Sequence, residues 1–152
     1  MECEYSPDDD GDTAVALECS SGAWVRLWNR HDPWGDGSVR VCIEIGALGL
    51  RALVHDVTVG IWADEFSPFL EEVAESFTGW EGTRTWRSTD SDLEVTAKFR
   101  SWGHVDMTWT VAPWRESVGR WNASVVLTLE AGEQMRGFAA DVRRFLRPEA
   151  SR

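Results

Sequence analysis

No stretch of this 152-residue sequence approaches the ~18 consecutive apolar residues that a bilayer-crossing helix needs, so no membrane span is expected. The first residues hold neither the basic segment nor the apolar stretch of a secretory leader. Cysteine is scarce: Cys3, Cys19 and Cys42 are odd in number and form no C-x-x-C motif, which argues against a disulfide framework and against a zinc ribbon. A reducing cytoplasm fits these features best, with Cys19 and Cys42 serving as small apolar residues inside strand patterns. Glycine-rich phosphate cradles, the serine-nucleophile elbow and metal-spaced His or Cys clusters are all missing. The sequence therefore predicts no enzyme, no catalytic residue, no metal and no cofactor. Lysine is nearly absent, with Lys98 alone against fourteen arginines, and this reads as the codon usage of a GC-rich bacterial genome rather than as chemistry.

What the chain has in excess is acid and tryptophan. Twenty-six acidic side chains face fifteen basic ones, a net charge of −11. Six of the acids (Glu2, Glu4, Asp8, Asp9, Asp10, Asp12) lie in the first dozen residues, which predicts a disordered acidic tail over 1–12. The Asp8–Asp12 run resembles a calcium loop but lacks the downstream bidentate glutamate. Without the tail the excess is still five negative charges, which disfavours nucleic acid and favours a basic partner. Ten tryptophans run from Trp24 to Trp121, each burying about 150 to 250 Å² when packed. Indole serves cores and recognition surfaces alike, so the count predicts a densely packed domain and leaves its purpose open.

Periodicity organises the remainder into one domain over 13–147, with a short tail at 148–152. Val15, Leu17 and Cys19 alternate, Ser20-Ser21-Gly22 turns the chain, and Trp24 to Asn29 alternates again, as in a hairpin. His31 to Gly37 reads as a loop. Val39, Val41, Ile43 and Ile45 then share one strand face, and Gly46 and Gly49 mark a bend before Leu50, Ala52 and Val54. Phe66, Phe69, Leu70, Val73 and Phe77 form a helical stripe that Asp64 would cap, with Pro68 harmless in the first turn. A short strand near Arg84 to Ser88 precedes three alternating ones: Leu93 to Phe99, Val105 to Val111 and Trp121 to Leu129. Met135, Phe138, Ala139, Val142, Phe145 and Leu146 make a closing stripe, which Pro148 stops. The expected fold is α+β: a curved, mainly antiparallel sheet of about seven to nine strands with two amphipathic helices packed on it. Gly49 to Phe69 and Gly119 to Phe138 share a strand-then-helix pattern, as a duplication would produce.

Two groups of residues are candidates for function. Asp32, Trp34 and Asp36 in the first loop, with Trp80, Glu81 and Trp114, would offer aromatic anchors inside an acidic rim to a protein partner. The plain alternative is that these indoles fold over the sheet ends as lids of the core. Arg100, His104 and Asp106 could instead line a small-molecule pocket, or the site of a cryptic enzyme, on the concave face of the sheet. His104 and Asp106 share a strand face but diverge by roughly 7 Å between Cα atoms, and His104 is expected to tie down the preceding turn. Arginine beside tryptophan recurs (Arg84 and Trp86, Arg100 and Trp102, Arg120 and Trp121) and predicts intramolecular cation–π contacts rather than a base-stacking platform.

The segments Phe66-Ser67-Pro68-Phe69-Leu70, Gly79-Trp80-Glu81-Gly82-Thr83-Arg84-Thr85-Trp86, Gly103-His104-Val105 and Leu129-Glu130-Ala131-Gly132-Glu133-Gln134-Met135 carry a resemblance. From about Thr13 to Phe145 the chain resembles a bacterial family of small acidic proteins of unknown function. The order of helix, strand, Gly-His-Val strand and final helix is also similar to that of immunity proteins that protect bacteria from their own wall-associated contact-dependent toxins. The resemblance implies a bacterial cytoplasm and, for function, a non-catalytic binding protein directed at a basic toxin domain. It transfers no catalytic residue and does not determine the oligomeric state.

Overall fold

Alternating apolar residues build eight strands, and two apolar stripes build two helices, in the computed structural model, which describes residues 14–61, 66–113 and 120–146. The first half runs β1 (Ala14–Glu18), β2 (Trp24–His31), β3 (Ser38–Ala47), β4 (Leu50–Ile61) and α1 (Phe66–Glu75). The second runs β5 (Thr83–Arg87), β6 (Leu93–Arg100), β7 (His104–Val111), β8 (Ala123–Glu130) and α2 (Glu133–Leu146). Each half is thus a four-stranded antiparallel meander followed by a helix, which repeats the strand-then-helix pattern at the scale of the whole chain. The α+β class and the strand number follow the periodicity. The strands divide between two sheets, β1-β2-β3-β4 and β5-β6-β7-β8.

The two sheets differ in regularity. All three ladders of the second run without a register shift, whereas the first carries three. On β2 the four residues Trp28 to His31 oppose three on β3, Cys42 to Arg40. On β4 the four residues Val54 to Val57 oppose three, Ile43 to Val41, and Thr58 to Ile61 likewise oppose Arg40 to Ser38. In the first two of these the chain enters left-handed backbone, at Asn29 (φ 57°) and Asp56 (φ 55°), residue types that tolerate it. The second bulge keeps Val57 and Val59 on the core face after the alternation has broken, so β4 runs well past the Leu50-Ala52-Val54 pattern.

Inward residues of both sheets and both helix stripes share one core. Phe66 on α1 packs against Trp86 (4.7 Å between centroids) and Trp109 (5.7 Å, edge-on), and Trp109 meets Phe138 of α2 at 6.1 Å. A smaller cluster of Ala14, Trp28 and Cys42, backed by Leu53, lies on the other face of the first sheet. Cys42 is disulfide-bonded, contrary to its expected role as a simple apolar filler, and Cys19 is a free thiol.

Helix ends follow their local chemistry. The Glu130 side chain accepts from the Glu133 N–H (3.1 Å) while Gln134 Oε1 accepts from the Glu130 N–H (2.8 Å), a reciprocal pair that ends β8 and starts α2. Glu133 at the start and Arg143 and Arg144 at the end complement the helix dipole. α1 stops at Glu75, so Phe77 falls outside the helix assigned to it by its stripe and is 53% exposed. The cause is the turn in which Gly79 N–H donates to Ser76 O (3.0 Å) with Gly79 at φ 113°. Trp121, expected inside the last strand, precedes it and is exposed. The acidic segment, Asp64, Trp114, Arg147 and Pro148 lie outside the described residues.

Candidate recognition loop

The loop between β2 and β3 is short, rich in Gly and Asp, and internally bonded. Asp32 Oδ2 accepts from Gly37 N–H (2.8 Å), Asp36 Oδ1 accepts from Ser38 N–H (2.9 Å), and Gly35 N–H donates to Asp32 O (3.3 Å). Gly35 and Gly37 take the positive φ the turn requires. These bonds hold Trp34 at the tip, 66% exposed, with the Arg40 guanidinium 4.4 Å from the ring centroid. An indole stacked on one face and open on the other loses little conformational freedom when a partner covers it.

The base of the loop is fastened from two sides. His31, the last residue of β2, places Nδ1 2.8 Å from Asn29 O and Nε2 3.0 Å from Asp56 Oδ1 on β4. The two bulges bring together residues that sit on non-adjacent strands. On the other side, Arg30 donates to Phe145 O at the end of α2 and stacks on the Phe145 ring at 5.5 Å. Arg40 has a buried Nε without a hydrogen-bond partner and acts electrostatically on Asp92, in the turn between β5 and β6. Burial drives the Asp92 carboxyl above its usual range despite the Ser88 hydroxyl that donates to it and the nearby Arg40 charge. Ser88 Oγ also accepts from Leu93 N–H at 3.0 Å. Sequence reading missed His31, Asp56, Arg40 and Asp92, because their partners are set by bulges and by the packing of one sheet on the other.

The remaining candidates do not join Trp34. Trp80 lies against Phe99 (5.4 Å) under the Arg84 guanidinium (4.5 Å) and packs on the core, which is the lid role. Phe99 leads into the β6–β7 turn, whose Gly103 O accepts from Ala131 N–H (2.8 Å) just before α2. Trp80 and the exposed Glu81 thus sit beside Phe99 and Arg84 of the second half, whereas Trp34 stands on Arg40 of the first. Trp102, in that same turn, is 92% exposed with φ 70°.

Arg100, His104 and Asp106 project from the outer face of the second sheet, opposite the buried Val105 and Met107. Arg100 Nη1 donates to Asp106 Oδ2 (2.9 Å) and Thr128 Oγ1 to Asp106 Oδ1 (2.7 Å), so each carboxylate oxygen has a partner within the sheet. His104 is exposed and bonds neither Asp106 nor the turn, whose anchor is the Gly103 carbonyl. Intramolecular cation–π contacts do form: Arg84 stacks on Trp80 rather than Trp86, and Arg26 on Trp24 two residues away (4.3 Å). Residues two apart share a strand face, as Arg26 and Trp24 do, whereas Trp80 reaches Arg84 from the preceding loop.

A model of one family, described as a family of unknown function (DUF6228), matches residues 16–149. The chain belongs to DUF6228. No curated protein and no solved structure matches it, so membership of DUF6228 brings no activity with it. Among the described residues no group of three or more His, Cys, Asp or Glu side chains is arranged to hold a metal ion. No described helix is long and apolar enough to cross a membrane.

Proposed function

We propose that this chain is a non-catalytic protein-binding domain of a bacterium, acting as an immunity protein that docks on a basic toxin domain. The observation that carries the reading is Trp34, an exposed indole on a loop bonded to itself and anchored at both sides. Such anchors supply most of the energy in protein interfaces. The acidic balance of the molecule supports a basic partner, since opposite charge accelerates encounter. A toxin that acts inside cells would be met in the cytoplasm; the Cys42 disulfide pulls the other way, because such bonds persist in oxidising compartments.

The test is a pull-down from the native host with wild-type chain and Trp34→Ala. The expected result is capture of a basic protein, bound at least ~30-fold more weakly by Trp34→Ala, the ≥2 kcal/mol of an interface hot spot. Association should also slow as salt rises. Capture at equal affinity by both proteins, or failure of the chain to protect cells expressing the captured protein, would overturn the reading. The small-molecule alternative gains nothing from Arg100, His104 and Asp106, whose one carboxylate is already engaged by its neighbours.

A further inference from the structure

The helices cover one face of the second sheet, and the opposite face is unusual for so acidic a chain. Its middle is a cross-strand row of Thr85, Thr96, Thr108 and Val126, one from each strand, in unbroken register. Beside it Thr110 and Ser124 place their hydroxyl oxygens 2.7 Å apart. Val126 is 48% exposed at a position where alternation would place a polar residue. The charges flanking this band cancel: Arg87, Lys98 and Arg100 against Glu94, Asp106 and Glu130, with Arg87–Glu94 and Arg100–Asp106 already paired. The whole chain carries −11, so copies repel one another, and this face adds no net charge to that repulsion.

We propose that this face is the contact surface between two copies of the chain. The inference goes beyond the binding role of the Trp34 loop and is independent of it. A regular sheet without bulges has the shape to stack on another sheet, and β-branched side chains interdigitate well across such a contact. A second copy buries no excess charge, whereas the basic partner expected at the loop would find no net charge to meet here. Three strands about 27 Å long and the shorter β5, about 17 Å, spaced about 4.8 Å apart, give a footprint of roughly 470 Å² per copy, or about 950 Å² in all, the size of weak, transient interfaces. The dimer is therefore reversible and concentration-dependent.

The test measures the mass of the full chain by light scattering or sedimentation from about 1 to about 200 µM, the range over which a contact of this size dissociates. The expected result is a rise from 17.1 kDa toward twice that mass. Thr108→Glu and Val126→Arg should each stay at 17.1 kDa while retaining the wild-type circular dichroism spectrum. Mixing the two should restore the larger species, because each introduced charge then meets its opposite. Trp34→Ala should dimerise normally, which separates this inference from the loop reading. A wild-type mass of 17.1 kDa throughout, or a dimer that survives both substitutions, would overturn the proposal.

Discussion

Asp92 shows how a single side chain's environment becomes a pH dependence. Its carboxyl is 2% exposed in a turn where Ser88 donates to it, and burial raises its pKa. A carboxyl with a raised folded value holds its proton in the native state when the unfolded chain has already lost it. Between the ordinary value near ~3.9 and the raised one, stability therefore falls as pH rises, and the penalty is fully present above that window. Asp92→Asn stays neutral at every pH and keeps an oxygen to accept from Ser88. The variant should have the higher urea midpoint at pH 7, and the difference should close as pH falls below the ordinary carboxylate range. An equal or lower midpoint for Asp92→Asn at pH 7 would show that the Arg40 attraction outweighs the desolvation.

Elements are where the sequence was most legible and where its limits show. The second sheet could be read residue by residue, because Leu93 to Phe99 and Val105 to Val111 alternate without interruption and their ladders have no bulge. β4 could be read only to Val54, because the bulge at Asp56 breaks the period of two that identifies a strand. The same irregularity hid the candidate site: Trp34 was evident as an indole in a turn-rich loop, but the His31–Asp56 clasp beneath it depends on two bulges meeting across β3. Gly46 illustrates the converse. As a bend signal it was misread: it lies within β3 and pairs with Trp24, whose ring occupies the space a Cβ would need. Arg26 stacks on that ring and joins Arg51 in holding the buried Glu44 carboxylate. Gly46→Ala should displace the indole and unsettle this network, at a cost of about 1 to 3 kcal/mol in urea denaturation. A change below ~0.5 kcal/mol would mean that Trp24 can swing aside freely.

At the scale of the whole molecule the two ββββα halves do not close on themselves. Phe66 belongs to the first half, yet its ring lies on Trp86 and Trp109 of the second, while α2 of the second half packs against β1 and receives Arg30 from β2. Each half on its own would expose apolar surface that the other half covers. The chain should therefore unfold as one unit, with tryptophan fluorescence and far-ultraviolet circular dichroism tracing the same transition. Phe66→Ala should lower stability by about 3 to 5 kcal/mol without splitting that transition, because the ring it removes bridges the halves. Residues 1–78 and 79–152 expressed separately should each remain unfolded and regain the native spectrum when mixed. A folded isolated half, or two transitions in the Phe66→Ala variant, would show that the halves are autonomous and that the shared core is a contact between two finished domains.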